Sequence, residues 1–231
     1  MVLKTSLIYS VGDIHGQYQK LQNLLRRCEL DHVARGVEEK ALVFVGDYVD
    51  RGPNSEQVVH LLMKLQAASP SRVFCLKGNH ELILVAAARG QLSRYDVTLK
   101  EWLDRGGGAA TLRSYGVTHP SQLPDEHVRW MDSLPLCYDD GHRFFCHAGI
   151  NPELGLAHST QDDLLLIREP FLSCVQDHGR LIVHGHTPAQ SGYPELKTNR
   201  LNLDTGAGYG GPVSAAIFSV DQRGPIDFIL E

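Results

Sequence analysis

Several large functional classes are excluded by what this chain of 231 residues lacks. Its five cysteines (Cys28, Cys75, Cys137, Cys146 and Cys174) are odd in number and include no Cys-x-x-Cys pair. Neither a thiolate metal site nor a disulfide framework is indicated. Cys28, Cys75 and Cys146 fall inside apolar runs and read as buried thiols of a reducing compartment. Cys28 is followed by Glu-Leu-Asp-His-Val-Ala rather than by an arginine at the sixth position, and a cysteine-nucleophile phosphatase is not expected. Excess positive charge is missing too. The 22 Lys and Arg against 27 Asp and Glu leave a net charge of -5, which argues against a binder of nucleic-acid polymers relying on backbone electrostatics. The longest strongly apolar run, Leu82–Ala88, is far too short to span a bilayer. Met1–Val11 carries one basic residue and no leader pattern, so a cytoplasmic protein without membrane partners is the expectation. No solenoid repeat or low-complexity segment is visible.

The most informative stretch is Val43 to Gly52, Val-Phe-Val-Gly-Asp-Tyr-Val-Asp-Arg-Gly. The run Ala41–Val45 reads as a buried strand. A glycine ends it, and Asp47, Asp50 and Arg51 follow within five residues. Charge so close to a core strand needs a partner. The same grammar recurs where Leu7–Val11 runs into Gly12-Asp13-Ile14-His15-Gly16 and where Arg72–Leu76 runs into Lys77-Gly78-Asn79-His80-Glu81. Between these strands, Gln17–Cys28 reads as an amphipathic helix through Leu21, Leu24, Leu25 and Cys28. Asp31–Lys40 reads as a polar loop around Gly36, and Ser55–Leu65 as a second helix with Val58, Val59, Leu61, Leu62 and Leu65 inward. Glu81–Arg89 continues as a third. The order is β-α-β-α-β with the motifs at the carboxyl ends of the strands, where open α/β sheets place their sites.

From about residue 90 to 136 the pattern changes to short helices and loops around Trp102, Gly106-Gly107-Gly108 and Pro120–Pro124. We read this as an insertion beside the site within one domain spanning 1–231. Strand character returns at Arg143–Cys146, Leu181–Val183, Leu201–Leu203, Val213–Val220 and Ile226–Leu230, the last two as a hairpin. The first three again end in ligand-type residues: His147, then His184 and His186, then Asp204. His184, two residues before His186, is expected on the same strand face, as a hydrogen-bonding support or a structural residue. Asp204 reads as a turn residue or a support for the ligands. The remaining histidines, including His32, His60 and His178, read as surface residues.

Asp13, His15, Asp47, Asn79, His147 and His186 therefore collect at strand ends, with His80, Asp50 and Arg51 beside them. Each has a plain reading alone, since an Asp after a strand is usually a turn former or helix cap and a lone His usually a hydrogen-bonded surface or core residue. Joint occurrence decides. Asp13 to Asp47 is 34 residues and Asp47 to Asn79 is 32, each about one strand–helix repeat. Carboxylate, amide and imidazole ligands without thiolate suit Mn²⁺, Fe²⁺ or Zn²⁺. Six groups exceed one tetrahedral Zn²⁺ but suit two ions sharing Asp47. Such a pair can hold a deprotonated water and clamp the attacking and leaving oxygens at phosphorus.

Together the blocks around Asp13, Asp47 and Asn79, with His147-Ala148-Gly149 and Gly185-His186-Thr187, resemble the signatures of the PPP phosphoprotein phosphatases of the calcineurin-like metallophosphoesterase superfamily. The resemblance spans residues 6 to about 210. It implies an α-β-β-α sandwich of two mixed sheets flanked by helices. It also implies two divalent ions, Mn²⁺ first, with Fe²⁺/Fe³⁺ or Zn²⁺ as the other candidates. Asp13, His15 and bridging Asp47 would hold one ion; Asn79, His147 and His186 would complete the other. His80 matches the family's general acid and Asp50 the carboxylate that orients it, as an imidazolium paired with a carboxylate stays protonated and aimed. Arg51 matches the arginine that grips the phosphoryl oxygens, and Arg168 looks like the second arginine of bacterial and phage members. The segment Leu203–Gly210 departs from the Ser-Ala-Pro-Asn-Tyr-Cys loop of eukaryotic members, with Tyr209 expected over the site. The substrate expected is a phosphorylated protein, at serine or threonine and also at tyrosine. The alternative is a dinucleoside polyphosphate such as diadenosine tetraphosphate, which would need further cations such as Arg89, Arg94 or Arg105. The intact set argues against an inactive binding scaffold. Oligomeric state is not encoded in any of these patterns.

Overall fold

Residues along β1 (Ser6–Val11) alternate between two hydrophobic environments, and that alternation explains the layering of the molecule. Leu7, Tyr9 and Val11 face a helical layer, whereas Ile8 faces a second sheet. The computed structural model describes residues 6–231. Helix α1 (Tyr18–Arg35) leads to β2 (Glu39–Phe44), and α2 (Ser55–Ala68) to β3 (Val73–Cys75). These three strands are parallel. Strands β9 (Ser214–Ser219) and β10 (Asp227–Leu230) add an antiparallel hairpin, completing the five-stranded order β10-β9-β1-β2-β3.

The second five-stranded sheet has the order β4-β5-β6-β8-β7. Its parallel centre is β5 (Arg143–Cys146), β6 (Leu181–His184) and β8 (Arg200–Asn202). Its antiparallel edges are β4 (Cys137–Asp139) and β7 (Glu195–Leu196). Phe145, Leu181, Val183 and Leu201 meet Ile8, Val43, Ala216 and Phe218 between the sheets. Each such fully buried apolar side chain contributes about 1.5–3 kcal/mol. Outside the first sheet pack α1, α2, α3 (Asn79–Ala88) and α6 (Asp125–Ser133), and outside the second lies α7 (Gln161–Leu166). The result is the expected sandwich of two mixed sheets flanked by helices.

Between α3 and α6 the chain is a series of short pieces: a 3₁₀ turn at Leu92–Tyr95, α4 (Leu99–Glu101), a π-helical turn at Trp102–Gly106, α5 (Gly108–Ser114) and a further turn at Pro120–Gln122.

Three local expectations fail. Asp31–Arg35 is not a loop but the last turn of α1, which Gly36 ends in a left-handed cap. Asp31 accepts from Arg35 and from the Tyr9 hydroxyl, and Arg35 also reaches Asp227, so tertiary ion pairs keep a polar turn helical. His127 is buried rather than exposed and is hydrogen-bonded to Tyr115. His184 does not share a face with His186. It ends β6, packs edge-on against Phe171 and faces the Arg200 guanidinium, while His186 lies past Gly185 with φ 67° and turns the other way.

Candidate active site

Two loops leaving the first sheet, after β1 and β2, are locked together by their backbones before any side chain is considered. Ile14 and His15 donate their N–H groups to the Asp47 carbonyl, and Gly16 donates to Tyr48. Fixing loops so tightly forces unusual backbone angles. Of the six described non-glycine residues with positive φ, five are His15, Asp47, Asp50, Arg51 and His186. Such strain persists only where surrounding structure over-determines it, and it clusters at functional sites.

The device that fixes the Asp47 loop is Glu81, on the first turn of α3. Its fully buried carboxylate accepts from Asp47 N and Gly78 N at 2.9 Å on Oε2, and from Tyr48 N at 2.8 Å and Val49 N at 3.3 Å on Oε1. Sequence reasoning quoted Glu81 within its motif without giving it a task. The available signal was a carboxylate next to Asn79 and His80 in an otherwise apolar helix.

Asp47 is the centre of the cluster. His147 Nε2 lies 3.3 Å from its Oδ1, and His15 Nε2 lies 3.5 Å from its Oδ2. His15 Nδ1 donates to the Val49 carbonyl and His147 Nδ1 to the Val45 carbonyl, which turns both Nε2 lone pairs inward. Asn79 Oδ1 lies 2.9 Å from His147 Nε2 and from His186 Nδ1. Asp13 accepts from the His186 backbone N–H and is buried beside Asp204 and Asp47. Gly185 permits this approach, since a Cβ there would stand 1.9 Å from Asp13 Oδ1. Two ligand-capable groups share Asp47: His15 and His80 with it, and His147 and His186 with it.

The electrostatics of the cluster fit divalent cations. Burial pushes His15 and His186 down to about 3, with the neighbouring His80 and Arg51 adding to it at His15 and His147 at His186. Both imidazoles are therefore neutral lone-pair donors at ordinary pH. Burial and the mutual repulsion with Asp204 and Asp47 raise Asp13 well above the usual carboxylate range, and burial raises Asp204 to about 6. Burial opposes the charge of Asp47, but His147, His80, His15 and His186 overcome that and hold it below the usual range. Carboxylates crowded in low dielectric beside inward lone pairs, without thiolate, make a donor set that suits hard or borderline divalent metals.

His80 differs from the other imidazoles. Its Nδ1 lies 2.7 Å from Asp50 Oδ2, and its pKa is raised because Asp47 and Asp50 outweigh burial. Asp50 also accepts from Trp102 Nε1 at 3.0 Å and from Thr111 Oγ1 at 2.7 Å, both in the 90–136 segment. Arg51 sends one guanidinium nitrogen to His15 Nε2 at 2.6 Å and another to within 3.1 Å of His80 Nε2. Its backbone N–H donates to the carbonyl of Gly107, whose φ of 92° and close packing on Arg51 admit no side chain. Tyr209 covers the Arg51 guanidinium at 4.7 Å from its ring centroid, while its own side is open to solvent. Arg168 is exposed and stands apart from the cluster, near enough to His186 for its charge to disfavour protonation there. Trp102 and Thr111 were not assigned from sequence, being 52 and 61 residues from the carboxylate they hold.

Two Cys-x5-Arg spacings do occur, Cys137 to Arg143 and Cys174 to Arg180, and an absence of that spacing cannot be what excludes a thiolate nucleophile. Their geometry does. Arg143 is buried against Asp140 and the Ser219 and Gln222 carbonyls, and Arg180 donates to Asp139. Neither guanidinium faces a cysteine across a phosphate cradle, and burial raises the Cys137 thiol.

Comparison with known proteins agrees with the cluster. The calcineurin-like phosphoesterase family profile matches residues 7–221. A symmetrical bis(5'-nucleosyl)-tetraphosphatase of Dechloromonas aromatica is 33% identical over 149 residues, 63% of this chain and 44% of that protein. The serine/threonine-protein phosphatase PP2A-like PPG1 of Candida albicans is 33% identical over 148 residues, 64% of this chain and 30% of that protein. The chain thus spans less than half the length of these two curated relatives. Among solved structures, a putative diadenosine tetraphosphatase superposes with a TM-score of 0.70 at 23% identity, covering 99% of this chain and 95% of the other. A cold-active protein-tyrosine phosphatase of a Shewanella species superposes with a TM-score of 0.61 at 18% identity, covering 96% and 80%. The chain belongs to the calcineurin-like phosphoesterase family of metal-dependent phosphoesterases.

Proposed function

We propose that this protein is a binuclear phosphomonoesterase acting on phosphoserine and phosphothreonine in proteins, with phosphotyrosine as a further substrate. The observation that carries the binuclear reading is Asp47, whose two oxygens face different histidine nitrogens, Oδ1 toward His147 and Oδ2 toward His15. Asp13, His15 and Asp47 would hold one ion and Asp47, Asn79, His147 and His186 the other, with Mn²⁺ the ion we assign first. When bound, such ions supply Lewis acidity and lower the pKa of water at the site.

The chain's own residues account for the rest. Arg51, fixed by Gly107 and covered by Tyr209, binds the phosphoryl oxygens and offsets the charge gained in the transition state. Arg168, exposed and felt electrostatically at His186, would serve as a second cation for the phosphoryl group only by swinging in from where it stands. Asp47 and Asp50 raise the pKa of His80 and favour its imidazolium, which donates Nδ1–H to Asp50 and so also carries a proton on Nε2 that it delivers to the leaving oxygen. Trp102 and Thr111 keep the Asp50 carboxylate aimed. The 90–136 segment is in this reading a wall of the active site rather than a separate unit.

A second reading, hydrolysis of a dinucleoside polyphosphate, draws support from the relative and the solved structure named for that activity. The metal-loaded enzyme assayed side by side on a phosphoserine/phosphothreonine peptide, a phosphotyrosine peptide and diadenosine tetraphosphate separates the two. A kcat/KM at least ~100-fold higher for a peptide, about 2.7 kcal/mol of transition-state preference, is the expected result. The same margin for the dinucleotide would replace the first reading with the second.

A further inference from the structure

Beside His80 a cavity of about 350 Å³ opens between α3 and the 96–106 segment. Arg51, Asn79 and His80 form its inner end, so it continues the phosphoryl site on the side where the leaving oxygen departs. Ile83, one helical turn beyond His80, Val97 and the Trp102 ring make its walls, and Asp96, Glu101 and Arg105 stand around its mouth. Its volume falls in the range of sites that enclose a small ligand or a side chain or two of a peptide.

The charges at the mouth separate the substrate classes. Arg105 is the one cation beyond Arg51 and His80 along this lining, and Glu101, four residues earlier, feels its charge. Asp96 has no ion-pair partner among the described residues and is held at the mouth in a left-handed conformation with φ 53°. The other arginines that a polyphosphate could have used are not here. Arg89 is paired with Asp132 at 2.9 Å, and neither it nor Arg94 lines the cavity. A nucleoside diphosphate leaving through this opening would bring several negative charges against two carboxylates and one shared guanidinium. A seryl or threonyl oxygen leaves uncharged. The peptide that carries it gains from apolar contact with Ile83, Val97 and Trp102, and a basic residue beside it gains from Asp96 and Glu101.

We propose that this cavity is the leaving-group pocket and that it selects phosphopeptides carrying a lysine or arginine next to the phosphorylated residue. The proposal rests on the protein-phosphatase reading above. The expected preference is about three- to tenfold, the size of one or two solvent-screened charge contacts.

The test compares kcat/KM for two phosphothreonine peptides that differ only by Lys or Glu flanking the phosphothreonine, at low and high salt. It uses the metal-loaded wild type and an Asp96→Asn/Glu101→Gln double variant. Asparagine tolerates a left-handed conformation, and glutamine keeps an oxygen to accept from the Thr98 N–H and hydroxyl, as Glu101 now does. The ratio of the two peptides is internal to each enzyme, so a general loss of activity does not disturb it. The wild type should prefer the Lys peptide three- to tenfold at low salt, and the preference should shrink at high salt and fall below twofold in the variant. If the wild type shows no preference, or the variant keeps the full one, the pocket assignment is overturned and the protein-phosphatase reading stands. If diadenosine tetraphosphate outruns both peptides by ~100-fold, the reading and the pocket assignment fall together. Should the double variant melt more than a few degrees lower, Asp96→Asn alone gives the same comparison with half the charge change.

Discussion

Replacing Glu81 by glutamine changes one oxygen for an NH₂ group and should disorganise the site from behind. The carboxylate accepts four backbone N–H groups, two on each oxygen. An amide offers acceptors on one side only. Whichever way it is turned, two donors, either those of Asp47 and Gly78 or those of Tyr48 and Val49, face another donor in a fully buried place. A buried group left unsatisfied costs about 1–3 kcal/mol, so with two such donors Glu81→Gln should cost about 2–6 kcal/mol. That is a large part of the ~5–15 kcal/mol that stabilises a typical domain. At roughly 2–4 °C per kcal/mol for a chain this long, the melting temperature should fall by about 4–24 °C. The functional loss should exceed the stability loss, because Asp47 keeps its φ of 56° only while its loop is held. Metal affinity should drop ~10–100-fold, as when other supports of ligands are removed. Calorimetric melting of the metal-free protein and titration with Mn²⁺ measure the two effects separately. A variant that melts within a degree of wild type and binds Mn²⁺ unchanged would refute the assignment of Glu81 as the organiser of the Asp47 loop.

Other perturbations read other parts of the site. His80→Asn should lower turnover ~10²–10⁴-fold on a phosphoserine peptide, whose alkoxide needs a proton. It should do far less on p-nitrophenyl phosphate, whose phenolate leaves unaided, and an equal loss on both would contradict the general-acid role. Gly185→Ala forces Asp13 away, because the added Cβ would stand 1.9 Å from Oδ1. Activity should fall at least ~10-fold and overpacking of this buried place should cost about 1–3 kcal/mol, and activity within twofold of wild type would show that the Asp13 position does not matter.

How much of this was legible beforehand depends on distance along the chain. The β-α-β-α-β order and the glycine-ended strands are local patterns of two to ten residues, and the structure has them at the expected places within a few residues, except that α1 runs seven residues past its expected end at Cys28. The edge strands β4 and β7, of 3 and 2 residues, are too short to show a period and were not read. The last turn of α1 was missed because its helix is stabilised by Tyr9 and Asp227, partners 22 and 192 residues away. The face of His184 was misjudged because alternation holds only inside a strand, and β6 stops at His184. At the site, residue types at strand ends announced the cluster of ligand-capable side chains, and the family resemblance supplied expected roles for His80, Asp50 and Arg51. The supports of that cluster, namely Glu81 beneath Asp47, Trp102 and Thr111 on Asp50 and Gly107 against Arg51, are tertiary contacts with no pattern of their own. The left-handed backbone of five site residues is likewise invisible in residue type, because none of them is glycine.

The central claim is that one carboxylate, Asp47, is shared by two ions that are both needed for turnover. Its most direct test is to strip the protein with a chelator and titrate back Mn²⁺, following bound metal and hydrolysis of p-nitrophenyl phosphate in the same samples, for wild type and Asp47→Asn. The account predicts two ions per wild-type chain, activity that rises with filling of the second, and loss of both ions and of turnover in the variant. Activity that survives stripping, or an Asp47→Asn variant that still binds two ions per chain, would contradict it.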